Sequence, residues 1–99
     1  MTVQEINHIK TNEVNISDTT PAMQQYLEIK KNHQDKILLY RMGDFYETFF
    51  EDAVRLSKEL EITLTARDAG SVLGKIPLAG VPAKAVDAYL EKLVHKNIK

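Results

Sequence analysis

The first segment with apolar residues at helical spacing follows Thr20-Pro21. Thr is a good helix cap, and Pro suits the first helical position. The stripe consists of Met23, Tyr26 and Leu27. Lys30 continues the same spacing, and we expect its methylenes to cover the edge of the stripe. The pattern predicts a helix over residues 20–32.

Two further segments carry the same period. One begins at Glu51-Asp52, where acidic side chains oppose the positive end of the helix dipole. We therefore expect both acids at a helix start and on the surface. The other begins at Pro82. The apolar stripe of the first segment consists of Ala53, Leu56 and Leu60. That of the second consists of Val86, Tyr89, Leu90, Leu93 and Val94.

Two β-prone runs, residues 37–42 and 45–50, meet at Gly43-Asp44, which is a turn signal. Strand alternation places Phe45, Glu47 and Phe49 on one face, and Tyr46, Thr48 and Phe50 on the other. Two interpretations of the exposed end stay open. In the first, Phe45 belongs to the core and Glu47 is solvated. In the second, Phe45 forms an apolar wedge and Glu47 is the hydrogen-bond acceptor beside it.

Residues 62–66 alternate as a half-buried strand. Residues 76–81 form a short strand that Pro77 demotes towards an edge or an irregular extended piece. Residues 1–19 are polar and without period, which indicates a flexible leader. The element order is helix, strand, strand, helix, strand, strand, helix. This order predicts an α/β fold with a small mixed β-sheet flanked by helices.

Composition excludes several classes of function. The chain has 99 residues, enough for one modest core, and a net charge of −1, which provides no global basic field for nucleic acid. The absence of cysteine excludes disulfides, thiolate zinc sites and cysteine nucleophiles. The longest strictly apolar run is far shorter than a membrane span, and no secretory signal is present. We expect a soluble, cytoplasmic protein without a membrane partner.

Candidate catalytic motifs are weak. Residues 70–76 resemble a phosphate loop, but three residues separate the glycines instead of four, and Ile76 follows Lys75 where Ser or Thr should bind magnesium. His8, His33 and His95 share no element at metal-ligand spacing. Catalysis by this chain alone is therefore not predicted. A small nuclease-like enzyme built on its acids is a remote alternative.

Several stretches, in order, closely resemble the N-terminal mismatch-recognition domain of the MutS family of DNA mismatch-repair proteins. They are residues 20–27, 38–47, 50–53, 64–67, 76–82 and 85–94. The likeness covers residues 20 to about 97. Ala83-Lys84 depart from the Tyr-His that relatives often carry there. The resemblance implies the MutS domain I fold, with another strand expected beyond Lys99.

The resemblance also implies a function. In the family, the Phe of a Phe-x-Glu motif stacks on a mispaired or unpaired base from the minor groove, and the Glu hydrogen-bonds a base. The matching residues are Phe45 and Glu47. The resemblance further implies contacts with the DNA backbone or groove from Met42, Gly43, Arg67 and Lys75.

The partners implied are mismatched or bulged duplex DNA, the remaining domains and a second MutS subunit. ATP and magnesium belong to the full-length family and to an ATPase domain outside this stretch, so no cofactor is expected here. The alternative from another class is a protein-interaction module that uses an open sheet edge or the aromatic hairpin, without DNA binding of its own.

Overall fold

The computed structural model describes residues 5–99. The main elements are α1 (Pro21–Lys30), β1 (Tyr40–Met42), β2 (Phe45–Phe49), α2 (Phe50–Leu60), β3 (Thr65–Asp68), β4 (Lys75–Pro82) and α3 (Val86–His95). Short 3-10 turns lie at Thr11–Glu13, Ile16–Asp18 and Ala83–Ala85. The predicted order of helices and strands and the α/β fold class are confirmed.

The four strands form one sheet in the order β1-β2-β4-β3, and each neighbouring pair is antiparallel. Phe45 pairs with Pro82 and Phe49 pairs with Leu78, so β2 runs along most of β4. Because side chains alternate along a strand, Phe45, Glu47 and Phe49 share a face, as predicted.

Each face of the sheet contributes to one apolar cluster. The first joins α1 to the face that carries Phe49, and its members include Met23, Tyr26, Leu27, Phe49 and Ile76. The second joins α2 and α3 to the opposite face, and its members include Ala53, Leu56, Ala79 and Leu93. The first cluster covers only the Phe49 end of its face. At the other end of β2, Phe45 is exposed.

The prediction that Pro77 marks an edge strand or an irregular extended piece is wrong, because β4 is an eight-residue strand that lies between β2 and β3. Pro77 is buried and pairs with Ala66. The β2 ladder ends at Phe49, opposite Leu78, so the missing Pro77 amide removes no hydrogen bond to β2. The flanking runs were also placed too early: β1 begins at Tyr40 and β3 at Thr65.

Lys30, expected at the edge of the α1 stripe, and Asp52, expected on the surface, are both buried. Lys30 is 1% exposed and Asp52 is 5% exposed. The Lys30 Nζ lies 2.9 Å from Asp52 Oδ2, and it also donates to the carbonyl oxygens of His33 and Lys36. The amide of Leu38 donates to the same Asp52 oxygen at 3.0 Å. The pair therefore joins α1, α2 and the segment that leads into β1.

Glu51 also has a structural partner that its place at a helix start did not indicate. Its carboxylate accepts hydrogen bonds from the Thr11 amide at 2.9 Å and the Thr11 hydroxyl at 2.6 Å. Asn7 donates to the carbonyls of Lys75 and Leu73. The described part of the predicted leader, residues 5–19, thus lies against the domain, and residues 1–4 fall outside the described residues.

The predicted helix α3 is present, but its predicted start at Pro82 is wrong, because Pro82 ends β4 and α3 begins at Val86. Its apolar stripe is only partly covered. Leu93 is 5% exposed, whereas Leu90 is 41% and Val94 is 69% exposed. A helical period therefore predicted the element correctly and overestimated how much of its face the rest of the chain buries.

The junction between β2 and α2 is backbone-strained. Phe50, expected to continue the strand, instead begins α2 with a φ of 59° and a fully buried ring. A bulky residue at positive φ is uncommon and persists only where packing stabilises it. Burial of the Phe50 ring in the first cluster provides that packing at the point where the chain passes from β2 into α2.

Candidate functional site

The tip of the β1–β2 hairpin is fixed by contacts on both sides. Gly43 takes a φ of 62°, which a two-residue hairpin turn requires. The Ala83 amide donates to the Asp44 carbonyl at 2.8 Å and ties the turn to the end of β4. The Arg41 Nε donates to the Gly43 carbonyl, and its guanidinium lies 5.5 Å from the centre of the Tyr46 ring.

Phe45 begins β2 directly after this turn. Its side chain is 48% exposed, although Phe45 itself pairs with Met42 of β1 on one side and with Pro82 of β4 on the other. The ring borders a cleft of about 510 Å³, whose other lining residues are Arg41, Asp44, Pro82, Ala83 and Lys84. The arrangement presents a flat apolar group on a rigid support, beside two cationic side chains.

Glu47 lies two residues further along the same face, and its side chain is 23% exposed. It pairs with Tyr40 on one side and Gly80 on the other. A β-carbon at Gly80 would lie 3.3 Å from Glu47 Cγ and 3.1 Å from the Tyr46 carbonyl oxygen. The absence of a side chain at Gly80 therefore gives the Glu47 side chain its space over β4.

Arg67 reaches this face from β3. Its Nη1 lies 3.9 Å from Glu47 Oε1, and its Cζ lies 5.8 Å from the centre of the buried Phe49 ring. The structure therefore brings three sequence-predicted site residues, Phe45, Glu47 and Arg67, to one face of the sheet.

The other predicted residues lie at two places. Met42 and Gly43 form part of the hairpin tip, where Met42 pairs with Phe45. Lys75 begins β4, whereas Pro82, the partner of Phe45, ends it. At a rise of about 3.3 Å per residue, Lys75 lies roughly 23 Å along the strand from the Phe45 row. It is not part of the hairpin cluster.

A buried polar network supports the far end of β2. The Tyr26 hydroxyl lies 3.1 Å from Thr48 Oγ1 and accepts from the Phe49 amide at 3.3 Å. It also donates towards Asp52 Oδ2 at 3.4 Å. The ring packs edge-on against Phe49 with 4.9 Å between centres. This network connects the strand that carries Phe45 to the buried Lys30–Asp52 pair.

Two groups of the network have shifted pKa values. Burial raises the pKa of Asp52, while the Leu38 amide and Lys30 act in the opposite direction and only partly offset it. Burial, followed by the nearby Asp52 charge, raises the pKa of the Tyr26 hydroxyl. Tyr26 therefore remains a neutral donor and acceptor at physiological pH.

Sequence reasoning missed Arg41, Lys84 and Gly80 as neighbours of the site. Arg41 lies within the family-like stretch 38–47, and Lys84 belongs to the pair that departs from relatives. Neither was expected beside Phe45, because they meet it only where the turn docks on the end of β4. Gly80 lies opposite Glu47 through strand register, which an unaligned sequence does not reveal. A possible signal was a glycine in the middle of a strand, which often marks close approach of another group.

Over residues 5–99, no three His, Asp or Glu side chains cluster closely enough to hold a metal ion. Within the same range, none of the helices has the length and apolar character needed to span a membrane.

The fold and the hairpin define a small α/β domain whose exposed aromatic residue stands on an antiparallel sheet. Residues 20–99 match the sequence model of the family described as MutS domain I. The chain therefore belongs to the MutS family.

Proteins named DNA mismatch repair protein MutS are similar to this chain. The one from Prochlorococcus marinus (strain NATL2A) is 55% identical over 83 residues, covering 84% of this chain and 9% of the relative. The Bacillus velezensis protein is 59% identical over 80 residues, 81% of this chain and 9% of the relative. The Synechococcus elongatus protein is 45% identical over 106 residues, 98% of this chain and 12% of the relative. The chain thus spans about a tenth of the length of these relatives.

Proposed function

We propose that this chain recognises mismatched or unpaired bases in duplex DNA, with Phe45 inserted as a wedge from the minor groove. The observation that carries the proposal is the exposure of Phe45 at a hairpin tip that is anchored on both sides. An exposed aromatic ring on a rigid support loses little conformational entropy when it stacks on a base. Membership of the MutS family supports mismatched DNA as the ligand.

The energetics favour a defective base step. Inserting an apolar side chain unstacks a step at a cost of about a few kcal/mol, and a mismatch has already lost part of that stacking and pairing. A defective step also kinks more easily than a paired one, so recognition is mainly indirect readout. Phe45 then supplies most of the affinity.

Glu47 supplies most of the discrimination in this proposal. It shares the face of Phe45 and lies half-buried two residues away. A carboxylate near DNA is repelled by phosphates unless it finds a hydrogen-bond donor. A base freed from its pair exposes such donors, whereas an intact duplex offers fewer, so Glu47 disfavours fully paired DNA.

The chain acts as the lesion-sensing part of a larger mismatch-repair ATPase. ATP and magnesium are then used by the ATPase domain of the full protein, and this stretch requires no cofactor and performs no catalysis. Its partners are mismatched or bulged duplex DNA, the remaining domains and the second MutS subunit, in the bacterial cytoplasm. Arg41 and Lys84, beside Phe45, offer positive charge to the DNA backbone.

A second candidate function is a protein-interaction module without autonomous DNA binding. The exposed Leu90 and Val94 on α3 favour it, since apolar side chains at neighbouring helical positions suit a protein partner. This surface lies on α3, whereas the candidate DNA-reading residues lie on β2. A ligand that affects residues of β2 would therefore indicate DNA recognition, and one that affects residues of α3 would indicate a protein partner.

The test is an NMR titration of the labelled 99-residue chain with a duplex that carries one unpaired thymine, and with its fully paired counterpart. We expect amide shifts centred on residues 42–47, larger for the bulged duplex and lost in Phe45→Ala. Equal shifts for both duplexes, or no shifts, would contradict the proposal. Exposed Val72, which lies outside the hairpin, provides the matched control Val72→Ala.

A further inference from the structure

We propose that Arg67 is a positioning residue for Glu47 and thereby sets the ratio of affinities for mismatched and fully paired DNA. The expectation from the sequence was a contact between Arg67 and the phosphate backbone. The inference rests on the proposed function of the hairpin, and it assigns Arg67 to discrimination instead of to general DNA affinity.

The Arg67 side chain crosses strand β4 to reach Glu47. Arg67 pairs with Ile76 on β3, and Glu47 pairs with Gly80 on β2, so strand β4 lies between the two residues. The guanidinium nevertheless lies 3.9 Å from the Glu47 carboxylate. The side chain has to extend across β4 to reach it, which directs the positive charge along the sheet face.

The Phe49 ring supports the Arg67 guanidinium. The Arg67 Cζ lies 5.8 Å from the centre of the Phe49 ring, and that ring is fully buried. A guanidinium over an aromatic face is held by cation–π attraction and by stacking. The Phe49 ring cannot follow the guanidinium into solvent, so Arg67 is oriented by a fixed platform.

The Arg67–Glu47 pair is partly shielded from solvent. The side chains of Arg67 and Glu47 are 32% and 23% exposed, so water screens their attraction less than at an open surface. Gly80 presents no side chain against Glu47, where a β-carbon would lie 3.3 Å from Cγ. The Glu47 side chain can therefore lie flat over β4 towards Arg67.

These contacts have a consequence for recognition. The Arg67 guanidinium, 3.9 Å from the Glu47 carboxylate, holds that carboxylate on the face that it shares with Phe45. Without Arg67, the carboxylate would be free to rotate into solvent, where it would neither accept from an unpaired base nor disfavour a paired one. The affinity for the bulged duplex and the affinity for the paired duplex would then become more similar.

The experiment compares Arg67→Met with the wild-type chain. Met keeps an apolar side chain over Phe49 and removes the charge. Affinities for the bulged and paired duplexes are measured at several salt concentrations. We expect the ratio of the two affinities to fall about two- to fivefold, the size expected of a partly exposed ion pair. The salt dependence of each affinity should stay unchanged.

Two further variants separate the roles. Lys58→Met removes one exposed cation from α2 and should leave the ratio unchanged. In a Glu47→Ala background, Arg67→Met should cause no further fall in the ratio, because the side chain that it positions is absent. Amide spectra recorded before titration verify that each variant is folded.

Three results would overturn the inference. If Arg67→Met weakens both duplexes equally and lowers the slope of log affinity against log salt by about 1, Arg67 is a backbone contact. If the ratio and the slope both stay unchanged while the wild-type chain discriminates, Arg67 positions nothing and the wedge proposal stands. If the wild-type ratio is already one, the proposed function and the role of Arg67 are both wrong.

Discussion

The Lys30 ammonium lies 2.9 Å from the Asp52 carboxylate in a position where their side chains are 1% and 7% exposed. The pair joins α1 to the first turn of α2. It also holds the segment that leads into β1, through Lys36 and Leu38. Breaking a buried pair by removing one partner leaves an unpaired charge in the interior.

Lys30→Met should therefore destabilise the fold by about 3 kcal/mol at neutral pH, because Asp52 would remain buried without its cation. The measurement is urea denaturation of the variant and the wild type. Lys31→Met is the matched control, since Lys31 is exposed and adjacent in sequence. A second change, Asp52→Leu, should restore part of the lost stability, and failure to do so would contradict this account.

Asp52 should make stability depend on pH in the acidic range. Its folded pKa is raised above its ordinary value of 3.8, with burial as the main cause. The folded chain then binds this proton more tightly than the unfolded chain. Stability contributed by the protonated form is lost as pH rises from 3.8 through the folded pKa, and the curve is flat above it.

The measurement is the difference in free energy of unfolding between wild type and Asp52→Asn as a function of pH. We expect this difference to fall as pH rises through that range. Asp35, whose pKa is lowered by its own backbone amide and by Lys36, contributes with the opposite sign but cancels in the difference. A difference that increases with pH would mean that Lys30 outweighs burial.

Phe45→Ala should leave stability nearly unchanged, within about 0.5 kcal/mol, because the ring is 48% exposed. Its affinity for the bulged duplex should fall by about 1–3 kcal/mol, the usual value of one aromatic–base stack. Thermal melting and fluorescence titration measure the two quantities. Phe45→Tyr should keep most of the affinity, and equal losses in both variants would argue against stacking.

Gly80→Ala should displace Glu47 and destabilise the sheet by about 1–3 kcal/mol, since the added methyl would lie 3.1 Å from the Tyr46 carbonyl oxygen. Gly74→Ala is the control: Gly74 has a φ of 69° but open space around it, so Ala there adds backbone strain only. Discrimination between duplexes should fall in the Gly80 variant and be retained in the Gly74 variant.

Local signals predicted the elements well. Thr20-Pro21 began α1, and Gly43-Asp44 formed the hairpin turn. Both features depend on neighbouring residues, so the sequence contains the necessary information. The Thr20 hydroxyl, however, caps nothing and is buried without a partner among the described residues, which shows that a favourable cap position does not guarantee the bond.

Pairings between distant residues were not predicted. Lys30 looked like the solvated edge of a helix because its partner, Asp52, comes from another element. Strand order placed Pro77 in the interior of the sheet, although the residue type favours an edge. The link between Arg67 and Glu47 depends on both register and order, which local patterns do not specify.

The Glu51–Thr11 and Asn7–Lys75 hydrogen bonds could not be predicted from the sequence, for a related reason. Isolated apolar residues in the first nineteen positions keep no period, and this pattern is typical of a flexible leader. Ile9, Val14 and Ile16 nevertheless pack against the first cluster. An irregular segment can be packed without any periodic signal, because it needs only a few well-placed side chains.

The pairing of β2 with β4 has a consequence for the order of assembly. Phe45 and its turn neighbours are adjacent in sequence, whereas Pro82, which completes the support beneath Phe45, arrives only after α2 and β3. Contacts between distant positions form late, because a long loop must close first. During synthesis, the hairpin therefore emerges well before its platform. A nascent chain acquires a fixed aromatic tip only once β4 has left the ribosome and inserted between its two neighbouring strands.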